Sequence, residues 1–338
     1  MTRRFGRRGA AMNEADARAF VDDCYRRLLG RPADPDGLRT YVALLRAGTS
    51  PAEIAMLLAT SDEHRHHLLA SALPRKRRPD HYRLALDLSG TQPFLAFDVR
   101  DASDFDWLEA AIIDGGYYEQ PGVWSLEVDD DKRVMAQLLA DLRPRRALEL
   151  GCSTGAVIGE LVARGVDAYG VEISRMAHDR ASAALRERIH VGDLLTLELR
   201  EQFDLVFGLD IFEHLNPNRF DDYVERLAAL VEPDGWLVAN IPAFGRDEVF
   251  GEVFPLYVAS WDDDVAAGQP FRVLHCDDDG YPMNGHLIWA HTAWWVQQFS
   301  KAGFTRQPDV EHDVQARYGS HFDAHPARRS TYVFRRSA

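Results

Sequence analysis

A strand, a glycine turn and a helix in immediate succession constrain this chain more than any other feature. The apolar stretch "ALEL" (Ala147–Leu150) is followed by the turn "GCSTG" (residues 151–155) and by the amphipathic stretch "AVIGELVARG" (residues 156–165). Glycine at both ends of the turn lets the backbone bend sharply and approach a ligand without a Cβ in the way. The stretch therefore predicts a ligand-binding strand–turn–helix unit of an α/β protein.

Three kinds of ligand compete for this turn. A P-loop needs the spacing G-x-x-x-x-G-K-[ST], and here the glycines are closer and no lysine follows. A dinucleotide site prefers G-x-G-x-x-G, but Ser153 stands where a second glycine would let the pyrophosphate approach. S-adenosylmethionine has no phosphate and tolerates the small Ser153. Glu149 would repel a pyrophosphate and suits the ammonium group of this ligand, so the turn favours S-adenosylmethionine.

Two further acids follow at regular distances. Glu172 ends the strand-like stretch "DAYGVEIS" and can accept hydrogen bonds from two ribose hydroxyls, in a dinucleotide or an S-adenosylmethionine site alike. Asp193 follows "RIHV" and can accept from the adenine amine, although an aspartate that caps the next helix looks identical in sequence. With "FDLVFGLDIFEHL" and "LVEPDGWLVANIP" as further strands, the rhythm predicts a parallel sheet with its ligand at the carboxyl ends of the strands.

The chain resembles the class I S-adenosylmethionine-dependent methyltransferases over about residues 120–337. The resemblance rests on "LELGCSTGA", "GVEIS", "GDLL", "DLVFGLDIFEHL" and "EPDGWLVANIP", followed by a late helix "TAWWVQQFSKAGF" and a final strand "STYVFRR". It implies a Rossmann-like, mostly parallel seven-stranded sheet whose last strand is antiparallel, and S-adenosylmethionine as cofactor with S-adenosylhomocysteine as product. The predicted cofactor-binding residues are Glu149, Gly151, Cys152, Ser153, Gly155, Glu172, Ile173, Asp193, Leu194, Leu209 and Asp210.

The stretch "DIFEHL" leaves the fourth strand where the methyl group would lie. A histidine is the usual base near neutral pH, so His214 is the predicted general base, with Asp210 or Glu213 orienting it. The alternative is that Glu213 and His214 merely begin a helix. His286, in "MNGHLIWAHTAWW", is predicted to line the acceptor pocket. Some enzymes of this class bind a metal with an E-H pair and a distant histidine, and Glu213, His214 and His286 could form such a set with Asp210 for a divalent ion. The spacing is not diagnostic, so the metal stays unknown.

The N-terminal part is predicted to be helical. Apolar positions from Glu14 to Leu29 share one face, a second helix carries Leu38 to Leu45, and Ser50 with Glu53 forms a capping box for a third. Ser61 is predicted to cap a fourth. Over about residues 15–68, with "LLGRPADPDG" (residues 28–37) as its core, the chain resembles a small helical bacterial domain family of unknown function that accompanies glycosyltransferases and methyltransferases. This resemblance implies a module for protein contacts or oligomerisation, in glycan assembly.

Composition limits the remaining choices. The net charge of −14 argues against a nucleic-acid partner, although residues 1–80 carry +5 and the remainder −19. No apolar run reaches the ~18–20 residues of a membrane span, and three scattered cysteines indicate a reducing cytoplasm. We expect a helical domain (1–73), a connecting segment (74–113) that includes the basic linker "PRKRRP", and a catalytic domain (114–338). Residues 114–139 are predicted to form a covering helix and cleft wall, and residues 243–285 an acceptor lid.

The predicted function is O-methylation of a sugar, glycan or secondary-metabolite intermediate. The assignment of a sugar acceptor rests only on the kinds of enzyme to which the N-terminal domain family is attached. N-methylation of a small molecule and a non-catalytic binding partner in a biosynthetic assembly are the alternatives. A nicotinamide dehydrogenase is disfavoured by Ser153 and Glu149.

Overall fold

The structure, a computed structural model, describes residues 12–61, 63–64, 78–87, 92–119 and 128–337. The chain divides into two compact units, Met1–Phe97 with His275–Gly280, and Asp98–Leu274 with Tyr281–Ala338. Most of the fourth predicted helix and of the basic linker lies outside the described residues, and the three-part domain division stays a prediction. No described helix combines the length and the apolar character that crossing a lipid bilayer requires.

The first unit opens with the three predicted helices, which the structure places at Glu14–Leu29, Pro35–Arg46 and Pro51–Ala59. The predicted capping box is formed, because Ser50 accepts from the backbone of Glu53 and the Glu53 carboxylate accepts from that of Ser50. The three helices share one apolar core. The short turn Pro79–His81 directly precedes the first of two antiparallel strands, β1 (Tyr82–Leu86) and β2 (Pro93–Asp98).

The second unit is built on a seven-stranded sheet. The remaining strands of the chain are β3 (Arg146–Leu150), β4 (Asp167–Glu172), β5 (Ile189–Val191), β6 (Phe203–Leu209), β7 (Val231–Asn240), β8 (Arg246–Asp247), β9 (Gly251–Glu252), β10 (Val273–Cys276), β11 (Phe304–Arg306) and β12 (Thr331–Arg336). The sheet order is β11-β12-β7-β6-β3-β4-β5. Neighbours from β5 to β7 are parallel, whereas β12 runs antiparallel to β7 and β11. The predicted Rossmann-like sheet with an antiparallel last strand is confirmed.

Helices cover both faces of this sheet, each with its own apolar core. One face carries Asp130–Asp141, Ala156–Ala163 and Pro308–Ala324. The other carries Phe220–Leu230 and Thr292–Lys301. The remaining α-helices of the described part of this unit are Ala102–Asp114, Arg175–Arg180, Ala183–Arg186 and Trp261–Ala266. Because all the core strands are buried on both sides, their near-continuous apolar sequences follow from their position.

The predicted lid and cleft wall are partly described. Residues 243–285 hold β8, β9, the helix Trp261–Ala266 and β10, and an aromatic group around Phe244 and Trp261 gives the segment apolar packing of its own. His275–Gly280 belongs to the first unit, so this segment is not contained in one unit. In the predicted wall, the described helix begins at Asp130 and ends at Asp141, and residues 120–127 lie outside the described part. A role as lid or wall stays a prediction.

Candidate functional site

The loops that follow β3, β4 and β6 meet at one edge of the sheet, because these three strands are neighbours and parallel. Two groups of residues form at this edge. We call Glu149, residues 151–155 and Glu172 the cofactor side. We call Tyr118, Glu213, His214, Gly285 and His286 the acceptor side.

The glycine turn depends on left-handed backbone. Gly151 has φ 65° and Ser153 has φ 51°, and an added Cβ at Gly151 would lie 2.8 Å from the side chain of Ile211. The turn is tied to β4, because the N–H groups of Gly151 and Cys152 both donate to the Val171 carbonyl at 2.9 and 3.2 Å. These contacts hold the backbone of the turn in one fixed shape.

Glu172 holds this turn together from the end of β4. Its Oε2 accepts the N–H of Ser153 at 2.6 Å, and its Oε1 accepts the N–H of Ser174 at 2.7 Å. Burial raises the pKa of Glu172, and these N–H bonds oppose that rise. Since a carboxylate offers about four acceptor positions, the bonds leave capacity for two ribose hydroxyls.

Glu149 is the least satisfied group on the cofactor side. It is 4% exposed, and its Oε2 has no hydrogen-bond partner among the described residues. Burial raises its pKa well above the usual range, the nearby Glu172 adds to the rise, and Lys132 opposes it. A buried carboxylate without a partner is costly, and a bound ammonium group would remove that cost. The residues present thus fit the methionine end of S-adenosylmethionine.

The predicted adenine-side residues follow the turn. Ile173 is 44% exposed, which is unusual for a large aliphatic side chain and suits contact with a planar ligand, whereas Leu194 is buried. Asp193 already accepts from the Leu195 N–H and the Tyr223 hydroxyl, and its Oδ2 lies 3.3 Å from Arg219. One acceptor position of about four therefore remains for an adenine amine.

Asp210 is paired with a residue that the sequence did not point to. It adopts φ 54° directly after β6, and its Oδ2 contacts the guanidinium of Arg328. Leu209, the last residue of β6, is partly buried beside it. The structure thus places the Asp210 carboxylate in an ion pair rather than in the group around His214.

The acceptor side brings together the other predicted catalytic residues. Ligand atoms of Glu213, His214 and His286 all lie within 4.8 Å of one another. The His286 Nε2 is 3.7 Å from the Glu213 Oε1, and the two imidazole rings meet edge to face at 4.8 Å. Neither carboxylate oxygen of Glu213 has a hydrogen-bond partner in the described part of the chain. Glu213 is 1% exposed and burial raises its pKa well above the usual range, so a bound cation would favour its charged form.

His214 is held in a neutral state. Burial lowers its pKa to about 4, although hydrogen bonds to the backbone of Gly285 and Asp210 act in the opposite direction. Its Nδ1 lies 3.3 Å from the hydroxyl of Tyr118. Burial lowers the pKa of His286 as well, further helped by His214. Both rings are therefore uncharged at pH 7.

The sequence did not single out Tyr118, Glu119 or Arg328. Tyr118 and Glu119 lie in the predicted cleft wall, where the Glu119 carboxylate accepts the N–H groups of Arg175 and Met176, both at 2.8 Å. The sequence "YYE" directly after two glycines could have indicated Tyr118 and Glu119 as site residues. Aromatic residues in a short turn commonly pack against another part of the chain. No feature of the sequence pointed to Arg328, because the neighbouring residue Arg329 is also an arginine and the two cannot be told apart by sequence.

Comparison with known proteins identifies the families to which two parts of the chain are similar. Residues 128–305 match a methyltransferase domain family, and residues 5–68 match a domain of unknown function, DUF4214. The methyltransferase predicted from the sequence, with S-adenosylmethionine as cofactor, is confirmed, and so is the resemblance of the helical N-terminus.

Curated relatives match only a part of the chain. An uncharacterized methyltransferase of Geobacillus thermodenitrificans is 30% identical over 115 residues, which are 33% of this chain and 54% of the relative. A ubiquinone biosynthesis O-methyltransferase of Bordetella avium is 28% identical over 109 residues, 30% of this chain and 44% of the relative. The chain thus spans about half the length of these relatives. A solved amino pentose methyltransferase of Micromonospora echinaspora is 19% identical to this chain, with a TM-score of 0.40. The match covers 67% of this chain and 97% of the solved chain.

Proposed function

Since this chain belongs to the methyltransferase domain family, we propose that it methylates a hydroxyl group of a sugar, glycan or secondary-metabolite intermediate. The observation that carries the site assignment is the buried Glu149, whose Oε2 has no partner among the described residues and lies behind the glycine turn. In this proposal Glu149 receives the ammonium group, the turn receives the methionine backbone, and Glu172 receives the ribose hydroxyls. Ile173, Asp193 and Leu194 surround the adenine.

When bound, S-adenosylmethionine supplies an electrophilic methyl carbon on a sulfonium. A hydroxyl group that took up this methyl carbon would have to lose its proton, and a side chain of the site would have to receive that proton. We assign this proton to His214, which is neutral and lies beside Tyr118 and His286. A ring with a pKa of about 4 is a weak base. An oxygen that has gained a methyl group is a far stronger acid, so this base suffices while positioning supplies most of the acceleration.

The hydroxyl acceptor has two supports. On the acceptor side, the imidazoles of His214 and His286 and the carboxylate of Glu213 can each accept a hydrogen bond from a substrate hydroxyl group. The Bordetella avium relative is named as an O-methyltransferase. The sugar class rests on the N-terminal domain alone, which we propose as a module for protein contacts. We also propose a cytoplasmic location, supported by the buried Cys24, Cys152 and Cys276, which form no disulfide with one another.

Glu213, His214 and His286 favour a second candidate, a divalent cation on the acceptor side. Two imidazoles and a carboxylate whose atoms lie within 4.8 Å form a donor set that zinc and similar ions accept. Asp210, the fourth ligand that the sequence allowed, is paired with Arg328. Calorimetry with zinc, manganese and magnesium on the wild type and Glu213→Gln would test the site. Full activity after chelator treatment would refute it.

The proposed function is tested without knowing the acceptor. Calorimetric titration with S-adenosylmethionine, S-adenosylhomocysteine and NAD should show binding of the two sulfur ligands only. Release of S-adenosylhomocysteine is then screened over sugars, phenols and amines. Turnover with an amine alone would favour N-methylation, and cofactor binding without turnover on any class would favour a non-catalytic partner. Binding of NAD, or of none of the three, would overturn the cofactor assignment.

A further inference from the structure

A buried charged network reaches the site from the C-terminal end of the chain. The short turn Pro326–Arg328 precedes β12, and Thr331, the first residue of β12, pairs with Asn240, the last residue of β7. Since β6 and β7 are parallel neighbours, this turn lies at the same edge of the sheet as the loop that follows β6. Arg328 therefore enters the site region from about 118 residues beyond Asp210 in sequence.

The guanidinium of Arg328 contacts three groups. Its Nη1 donates to the carboxylate of Asp210 and to the side-chain carbonyl of Asn240. Its Nε lies 2.9 Å from Oδ2 of Asp131, whose other oxygen is 2.7 Å from Nε2 of His321. The Arg328 side chain is 15% exposed and that of Asp131 is 14% exposed. A planar fork is suited to this bridge in a way that a lysine ammonium is not.

The network acts on a strained part of the loop. Asp210 has φ 54°, a left-handed conformation that a non-glycine residue keeps only where its surroundings hold it. Its N–H donates to the Asn240 carbonyl at 3.0 Å, and its side chain is held by Arg328, so backbone and side chain are anchored to one place. The turn Phe212–His214 begins two residues after Asp210, and the N–H of His214 donates to the carbonyl of Ile211, the residue next to Asp210, at 3.1 Å. A displacement of Asp210 would therefore move His214.

We propose that Arg328 is a positioning residue of the site, which fixes Asp210 in its left-handed conformation and through it sets the orientation of the His214 ring. The role of His214 in methyl transfer rests on the proposed function, whereas the physical coupling from Arg328 to His214 does not. Asp131 and Asn240 hold the other sides of the same guanidinium. The C-terminal turn is thus part of the site although it supplies no group to the acceptor.

The test compares Arg328→Gln and Arg328→Lys with Arg329→Gln. Arg329 is the matched control, because it is the next residue and pairs at 3.1 Å with Asp323 on the surface. The main readout is the ¹⁵N signals of the His214 ring at pH 7.5 in the ligand-free full chain, assigned with His214→Gln. Affinity for S-adenosylhomocysteine and the unfolding temperature are measured in parallel.

We expect Arg328→Gln to shift or broaden the His214 signals, Arg328→Lys to restore them in part, and Arg329→Gln to leave them unchanged. Affinity for S-adenosylhomocysteine should change less than about threefold, because Glu149 and Glu172 are untouched. Wild-type His214 signals in both Arg328 variants would overturn the proposal. If Arg328→Gln does not fold, Arg328→Lys alone tests the proposal, because lysine keeps the positive charge but lacks the planar guanidinium that bridges the three groups. Failure of the wild type to bind S-adenosylhomocysteine would defeat the proposed function and leave the ring comparison intact.

Discussion

The cofactor side and the acceptor side lie at one sheet edge but are held by different means. On the cofactor side, Glu172 binds the backbone N–H groups of Ser153 and Ser174, and the turn itself is tied to the carbonyl of Val171. On the acceptor side, the contacts join side chains from distant segments, as with the Tyr118 hydroxyl and the His214 ring. The contacts between two neighbouring strands and their turns therefore fix the shape of the cofactor side. The acceptor side depends instead on how separate segments of the chain pack together.

Both sides share one property, a buried carboxylate without a full set of partners. Glu149 on the cofactor side and Glu213 on the acceptor side each have oxygens that find no hydrogen-bond donor among the described residues. Such groups cost stability in the free protein and gain it when a suitable ligand binds. The difference between the sides should therefore appear when one side is altered and the other is read out.

The largest effect is expected for Glu172→Gln on the cofactor side. The amide keeps one acceptor oxygen, so one of the two N–H groups now faces an NH₂ group, and the ribose loses a charged acceptor. Hydrogen bonds to charged groups contribute about 1.5–3 kcal/mol each, which predicts at least ~100-fold weaker binding of S-adenosylhomocysteine by calorimetry. Glu187→Gln, an exposed position in the same unit, is the control. A loss below about threefold would show that Glu172 serves the turn alone.

The next largest effect is expected for Glu149→Gln, which should weaken ligand binding and stabilise the free protein. Loss of the charge should weaken binding of S-adenosylhomocysteine about 30-fold, or about 2 kcal/mol. The free variant should nevertheless unfold at a higher temperature than the wild type at pH 8. The pKa of Glu149 is raised in the folded chain, so its contribution is favourable below the usual value of 4.5 and is lost as the pH rises through the raised pKa.

The pH dependence checks this sign. The stability gain of Glu149→Gln should shrink as the pH falls from 8 toward 5, measured by thermal unfolding. Binding of an ammonium group should lower the pKa of Glu149 and release a proton, which calorimetry in buffers of different ionisation enthalpy detects in the wild type and not in the variant. A variant less stable than the wild type at pH 8 would mean that Glu149 has a partner in the free protein.

The two sides also differ in what the sequence could predict. Glu149 and Glu172 were predicted from short strand and turn patterns, whereas the antiparallel last strand of the sheet was predicted from the family resemblance. Glu213, His214 and His286 were predicted as residues, but their mutual contacts depend on packing between segments. Tyr118 lies 96 residues from His214, and nothing local distinguishes Arg328 from Arg329. Only the folded chain shows which arginine faces Asp210.

The smallest effect is expected for Gly285→Ala on the acceptor side. Gly285 has φ 78°, and an added Cβ would lie 3.1 Å from the Tyr117 ring, 3.3 Å from the Tyr118 hydroxyl and 3.4 Å from the His214 Nδ1. The backbone strain alone should lower the free energy of unfolding by about 1–2 kcal/mol. The added methyl should also move Tyr118 from His214 and reduce methyl transfer about tenfold, with S-adenosylhomocysteine affinity within twofold of the wild type.

Gly303→Ala separates strain from contact in this experiment. Gly303 has φ 82° and nothing within 4 Å of an added Cβ, so the substitution brings the same strain without the neighbours. We expect both variants to lose similar stability in denaturant unfolding, and only Gly285→Ala to change the His214 ring signals and the transfer rate. Equal effects of the two variants on those signals would mean that strain spreads through the sheet edge. The acceptor side would then be no more dependent on packing between segments than the cofactor side.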